Sequence, residues 1–501
     1  MQSRYPGYLD LFRGYPLSIM RADLGRYLVL REFGGVYADL DVEALENFEP
    51  LLDAQEPVFA YEPPSHARLE FVRSRGFTRV VSNAVILSPR AHPFWDHLLS
   101  LLSRCRSAAS PLDATGPFIL TAACEQAGDA VRVLPAHVFS PRDKNGVSVD
   151  RPEPALPALA IHHWAGTWWK SRSAFLDRNA IWRVSFSYVR AWLTSKRKQP
   201  LPISAPAENL ASVDAFRLEF TKAESEARRF RDKIDLAALR PVAQKGKHVL
   251  IAIPLRDAAE TIDRLLDRIL ALRYAGTNLS LAFLEGDSSD DTFRRVKDFA
   301  QSHAKAFRNI SVIKRDTGIA AAQPRWAPEL QRTRRGHIAQ VRNTLIKEAL
   351  GDSDWVLWID ADIVDFPNDV VSTLLSAGAR IAHPNAMRVV GGESMDQNAW
   401  KIERRVSPEQ MAPHIRDGLY QPPKGFQRLY LSDLRYKDVV PLDSVGGTML
   451  LVDADLHRAG LVFPETPYRF LIETEAFGAA ACDLGIVPIG LPNVEVIHAA
   501  R

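Results

Sequence analysis

The sequence predicts an α/β protein of two modules joined by a helical connector, and three observations carry that prediction. From Lys247 to the C-terminus, apolar runs of strand length alternate with helix-patterned stretches. Residues 1 to about 170 form a separate mixed segment with its own short apolar runs, and between the two lies a stretch rich in Arg, Lys, Ala and Glu. The chain has 501 residues, more than one compact core usually organises. The boundaries drawn from these shifts are 1–175 for the first module, 176–245 for the connector and 246–501 for the second module.

In the first module, the spacing of apolar residues from Met20 to Glu32 predicts a helix that stops at Gly34 and Gly35. A short strand, VYADLD, follows the turn. In an extended segment, side chains two residues apart point the same way, so Asp39 and Asp41 present their carboxylates together. On the helix, Asp23 and Arg26 share a face, with Arg21 in the first turn. Elsewhere such a pair is an ordinary surface ion pair worth a few tenths of a kcal/mol.

The connector carries a period. Val213, Phe216, Phe220, Ala223, Ala227, Phe230 and Ile234 alternate three and four residues apart, which predicts one long helix with an apolar seam. Three short heptads containing two alanines make a weak zipper, so the seam is expected to pack along a neighbouring module and not against a second copy.

The second module opens with the strand-like HVLIAIPL and an amphipathic stretch from Ala259 to Leu272. NLSLAFLEGDSSDD, a helical DTFRRVKDFAQSHAKAF and NISVIKRD come next. Then a helical GHIAQVRNTLIKEAL leads into DWVLWIDADIV. This alternation predicts a mostly parallel sheet covered on both faces, with ligands at the carboxyl ends of its strands. The acidic clusters Asp287 to Asp291 and Asp360 to Asp362 both fall at that edge.

Composition narrows the function classes. A net charge of +3 over 501 residues gives no general basic surface for nucleic acid. The three cysteines form no closely spaced pair, which argues against a structural zinc site or a disulfide framework. No run of about 18 apolar residues occurs, and the first residues lack the apolar centre of a signal peptide. The chain as given is therefore expected to be soluble and cytoplasmic.

WVLWIDAD carries the clearest chemistry. Asp360 and Asp362, leaving a buried strand on the same side, suit a hard divalent ion such as Mg²⁺ or Mn²⁺ that keeps positions open for phosphate oxygens. An ion so placed offsets the charge that develops on a departing diphosphate.

RADLGRYLVLREFGGVYADLDVEAL, followed by SNAVILSPRAHPF and IHHWAGTWW, resembles the Asp-x-Asp sugar-transferases of glycosyltransferase family 32, the fungal initiating mannosyltransferases. The resemblance covers roughly residues 1–175. It implies that Asp23 and Arg26, with Arg21 and Tyr37, contact the donor, that Asp39 and Asp41 hold the metal and diphosphate, and that His163 and Trp168 close the site. It also implies a truncated first module, because that family places a strand and a βα unit before the Arg-Ala-Asp motif, and here Met1 lies 20 residues before Arg21.

GDSSDDT, QVRNTLIKEAL, WVLWIDADIVDFP, HPNAM, DSVGGTMLLVDADLHRAGLVFP, LIETEAFG and GLPNVEVIHA, in that order, resemble the subunits of the fungal mannan polymerase, glycosyltransferase family 62. Together the two resemblances imply two GT-A type, Rossmann-like nucleotide-sugar transferase modules. The second implies a GDP-mannose donor, Mn²⁺ and retaining α-mannosyl transfer to a glycan or glycolipid acceptor; a UDP-sugar is the alternative donor for the first module. It implies Asp360, Asp362 and His498 as metal ligands, and Asp287, Arg342, Asn343, Gly446 and Gly447 on the donor side. Glu473 and Glu475 are the candidate catalytic residues; two apart, they share a face if extended and diverge if helical. Relatives of the second module work in complexes in the Golgi lumen behind an N-terminal anchor, which makes that lumen the expected site if an anchor precedes Met1. A bifunctional enzyme adding two successive sugars and a non-catalytic scaffold subunit are the competing expectations.

Overall fold

The computed structural model describes residues 5–151, 156–165, 210–318 and 330–499. In the first unit, the Ser18–Phe33 helix buries Met20, Leu24, Tyr27, Leu28 and Leu30 along one side. It ends at Gly34, whose φ of +66° favours glycine and whose added Cβ would lie 2.7 Å from the Arg90 backbone nitrogen. Six short strands follow: β1 (Gly35–Ala38), β2 (Val42–Ala44), β3 (Val58–Ala60), β4 (Val85–Ser88), β5 (Arg132–Leu134) and β6 (Ala160–His162). Four of them form a sheet in the order β1-β4-β3-β5, and β2 pairs with β6 apart from it. Among the described residues of this unit, only β3 and β5 run parallel. The sheet that the described residues of this unit form is therefore mixed, with β1 and β4 as antiparallel neighbours.

The second unit contains β7 (Val249–Leu255), β8 (Leu279–Glu285), β9 (Asn309–Lys314), β10 (Trp355–Ile359), β11 (Ile363–Asp365) and β12 (Ile381–Met387). The short ribbons β13 (Trp400–Ile402) with β16 (Arg428–Tyr430), and β14 (Ile415–Arg416) with β15 (Leu419–Tyr420), come next. They precede β17 (Val440–Pro441), β18 (Met449–Asp453) and β19 (Ile489–His498). The large sheet runs β11-β19-β12-β18-β10-β7-β8-β9, with β17 on β19. Strands β10, β7, β8 and β9 are parallel as expected. Beyond β10 the sheet is mixed: β18 runs antiparallel to both β10 and β12, while β12 and β19 are parallel to each other.

Alternation along β7 explains the two layers. Val249, Ile251 and Ile253 pack with Ile262, Leu265 and Val296 of the Ile262–Leu270 and Thr292–Ser302 helices. Leu250 and Ala252 pack with Ala339 and Leu345 of the Gln331–Ala349 helix and with Phe477 of the Glu473–Asp483 helix. The connector is a helix over Leu210–Arg231. Its seam lies on the second unit: Phe216 and Phe220 meet Phe470 at ring distances of 5.8 and 6.1 Å, and Ala227 is buried. Val213 offers no described side chain, and Trp168 lies outside the described residues.

The two sheets are joined by more than the connector. Leu431, Leu434 and Tyr436 share one apolar cluster with Leu98, Leu102 and Phe118. Within that seam Arg75 pairs with Asp113 at 2.7 and 2.6 Å, and the Tyr436 hydroxyl donates to Asp113 at 3.0 Å. No described helix is long and apolar enough to cross a membrane.

Candidate active site

The first acidic pair sits where β1 ends and β2 begins. The register of β2 on β6 places Val42 opposite His162. That brings the His162 Nε2 to 3.4 Å from Asp41, while the Ala165 backbone N–H donates to the same carboxylate at 2.9 Å. The His162 contact is the largest of the influences that hold the Asp41 carboxyl down at about 2. Among the described residues, Asp39, Asp41 and His162 are the only three ligand-type side chains whose donor atoms all lie within 4.8 Å of one another. Two carboxylates and one imidazole fit Mn²⁺ or a similar divalent ion.

Asp39 accepts from the Tyr37 hydroxyl at 2.7 Å and faces Arg26 at 3.2 Å. Arg26 also pairs with Asp23 at 3.0 Å and lies 4.5 Å over the Tyr37 ring. Burial lifts the Asp23 carboxyl to about 7, against the pull of Arg26 and the Thr115 hydroxyl. Asp23, Arg26, Tyr37 and Asp39 are therefore one connected network. Arg21 is not part of it; its guanidinium donates to the Tyr15 carbonyl at 2.5 Å and ties down the preceding turn. His163 also points elsewhere, to Glu43 at 2.9 Å on the exposed side.

The second acidic pair leaves β10 at the carboxyl edge of the parallel strands, beside the loop that follows β7. Asp360 accepts from Arg342 at 2.9 Å, and Asp362 pairs with His498, at the end of β19, at 3.0 Å. Burial pushes the Asp360 carboxyl up to about 6; Arg342 opposes this, and the charges of Asp362 and Asp396 add to it. Arg342 is buried, lies 5.1 Å over the Phe463 ring, and leaves Nε and Nη1 without a hydrogen-bond partner among the described residues. Asp362 and His498 together fit two ligand positions of a divalent ion, whereas Asp360 gives its carboxylate to Arg342. The Thr261 hydroxyl donates to the Ala361 carbonyl at 2.8 Å and so fastens the loop after β7 to the acidic turn.

Asp287, at φ +56°, collects the backbone N–H groups of Thr317 and Gly318 at 3.1 and 2.9 Å. It borders a cleft of about 520 Å³ lined by Asp316, Thr317, His337, Asn343, Lys347 and Glu465. Asn343 reaches this cleft, yet its amide clamps Phe463 by accepting from its N–H at 3.0 Å and donating to its carbonyl at 2.9 Å.

Two residues that sequence reasoning missed stand behind Asp360. Buried Asp396 accepts from the Thr448 hydroxyl at 2.8 Å and backbone N–H at 3.2 Å, and the buried His383 Nε2 lies 3.6 Å away. HPNAM and MDQNAW contain them, but only the folded loop after β12 brings them together. Gly446 and Gly447 make room for this cluster: a Cβ would lie 1.9 Å from Asp396 at Gly446 and 2.3 Å from Arg342 at Gly447.

Glu473 and Glu475 begin a helix, so they diverge. Glu475 accepts from Trp400 Nε1 at 2.8 Å and Arg428 at 2.9 Å. Glu473 accepts from Arg335 at 3.2 Å and keeps its second oxygen buried without a partner among the described residues.

Residues 233–467 match the Anp1 family, and residues 1–58 match the glycosyltransferase sugar-binding region containing the DXD motif. The chain is 30% identical over 282 residues to the mannan polymerase complex subunit mnn9 of Schizosaccharomyces pombe, covering 52% of this chain and 81% of that protein. It is 28% identical over 280 residues to the mannan polymerase II complex ANP1 subunit of Saccharomyces cerevisiae, covering 51% of this chain and 55% of that protein. The chain thus spans little more than half the length of the second relative. It is also similar, at 15% identity and a TM-score of 0.31, to the solved mannosyltransferase PcManGT from Pyrobaculum calidifontis in complex with GDP-Man and Mn²⁺, over 58% of this chain and 68% of that one.

Proposed function

Because the chain belongs to the Anp1 family, we propose that it is a metal-dependent glycosyltransferase that moves mannose from GDP-mannose, with retention and in α-linkage, onto a glycan acceptor, chiefly in its second unit. One observation supports this most: Asp362 and His498 stand 3.0 Å apart beside Asp360, at the carboxyl ends of buried parallel strands. In this reading Asp362 and His498 hold Mn²⁺ or Mg²⁺, with Asp360 completing the acidic edge. A divalent cation there supplies positive charge to the donor's diphosphate. Arg342, with two N–H-bearing nitrogens unpartnered among the described residues, adds a second positive group on the same side. Asp287 orders the loop beside the cleft that would take the nucleoside.

Glu473 is the better placed of the two glutamates to orient a sugar hydroxyl, since one of its oxygens has no hydrogen-bond partner among the described residues. Glu475 is the anchor of the helix start. No dedicated base is needed, because in retaining transfer the departing phosphate can take the acceptor's proton. The names of its relatives as complex subunits support a place beside other transferases in an assembly.

The test is transfer from GDP-mannose to a manno-oligosaccharide, with linkage analysis of the product. Asp360→Ala should lower transfer by about 10² or more, as loss of a preorganised charge at the leaving group does. Undiminished transfer by that variant would overturn the assignment. A second reading, in which both units are active, is supported by the convergence of Asp39, Asp41 and His162. In that case Asp39→Ala removes a different linkage, made from GDP-mannose or a UDP-sugar. Glycan binding without turnover in the wild type would favour a scaffold subunit instead.

A further inference from the structure

Arg435 is buried in the seam between the two units and is 1% exposed. Its guanidinium donates to the carbonyls of Gly392 at 2.7 Å and Gly391 at 3.3 Å, and pairs with Glu495 at 3.1 Å. From the first unit, the Ser107 hydroxyl meets the same guanidinium and donates to the Gly392 carbonyl at 3.2 Å. Arg106 lies against the same turn, so that a Cβ on Gly391 would meet its guanidinium at 2.7 Å. Two carbonyls of one tight turn are thus held by one fork of N–H donors that is itself gripped from the neighbouring unit.

That turn starts the loop whose other end is Asp396. After Gly392 the chain is pinned by the Ser394 hydroxyl donating to Asn385 at 2.8 Å and by the Met395 N–H donating to Ala386 at 2.7 Å. Asp396 then seats on Thr448 against Gly446, and the Thr448 carbonyl in turn accepts from the Asp360 backbone N–H at 2.9 Å. We infer that Arg435 is a positioning residue for the second site, and that the first unit serves that site by clamping the 388–399 loop through Ser107 and Arg435. This rests on the proposed transferase activity of the second unit. The first unit then acts as a built-in wall of the second site, whatever its own acidic pair does.

Arg435→Met and Ser107→Ala, each in the full chain, test this by hydrogen exchange of the 388–399 amides and by kcat and donor KM measured well below each variant's Tm. Arg435→Met should raise exchange in 388–399 by about tenfold or more and lower kcat by about tenfold, with donor KM within about twofold. Ser107→Ala should move both in the same direction by about threefold, and carries the test alone if Arg435→Met does not fold. Lysine cannot fork across two carbonyls, so Arg435→Lys should restore only part of the loss. In an Asp396→Asn background, Arg435→Met should cost no further kcat, because its effect passes through Asp396. Unchanged exchange would overturn the clamp, and raised exchange with unchanged kcat would overturn its role in positioning the second site. A wild type without turnover would refute the transferase reading, and the exchange result would still decide whether the clamp exists.

Discussion

Gly446→Ala puts the acidic cluster under a defined load. The added Cβ would lie 1.9 Å from the Asp396 carboxylate, against an ordinary contact of 3.4 Å, so the carboxylate must retreat by about 1.5 Å. It has little freedom to do so. Asp396 is buried, and it accepts from the Thr448 hydroxyl at 2.8 Å, the Thr448 N–H at 3.2 Å and the Asn398 N–H at 3.1 Å. A hydrogen bond to a charged acceptor contributes about 1.5–3 kcal/mol, and forcing a methyl into a packed site costs about 1–3 kcal/mol. Losing one such bond with modest strain puts the expected destabilisation at about 3 kcal/mol. Urea titration should show the midpoint fall with little change in slope, and donor turnover should fall with it. A variant within about 0.5 kcal/mol of the wild type, with full turnover, would refute the close approach on which the site's geometry depends.

Asp113→Asn removes one partner of a fully buried bidentate pair and leaves Arg75 with Glu403 at 2.9 Å. Thermal denaturation should register a loss of about 3–5 kcal/mol, and an unchanged Tm would contradict the welded seam. His457 is buried, accepts from Trp358 Nε1 at 3.4 Å and donates from Nδ1 to the Leu461 carbonyl at 2.9 Å; burial lowers its pKa to about 4. The unfolded chain, near 6.5, binds the proton more readily, so stability should be full above about pH 6.5 and fall by on the order of 3 kcal/mol as pH drops to about 4. His457→Phe should flatten that part of the stability-versus-pH curve, and a curve unchanged by the substitution would count against it. Glu475→Gln should chiefly lower stability, and Glu473→Gln should chiefly lower transfer while sparing donor affinity in calorimetry.

Local patterns in the sequence reach some of these features and not others. The heptad seam of the connector and the parallel run β7 to β10 follow from apolar spacing, which local burial enforces. The placement of Asp360 and Asp287 at the strand ends follows from the same alternation. By contrast, β18 enters between β10 and β12 in the opposite direction, and no local pattern encodes a strand's neighbour. His162 and His163 are adjacent, and only the register that sets Val42 opposite His162 decides which of them meets Asp41. Asp396 and His383 are equally invisible, because the loop that joins them to Asp360 is shaped by contacts with Arg435 and Thr448. Glu473 and Glu475 turned on a single local fact, helix or strand, that their flanking residues left open.

The most direct test of the account is uptake of Mn²⁺ by the intact chain with GDP present, followed by the loss of the free-ion electron paramagnetic resonance signal. The account predicts GDP-dependent uptake that Asp362→Ala and His498→Ala abolish at the second site, and a separate share that only Asp39→Ala removes. A wild type that takes up no manganese with either GDP or UDP would contradict it.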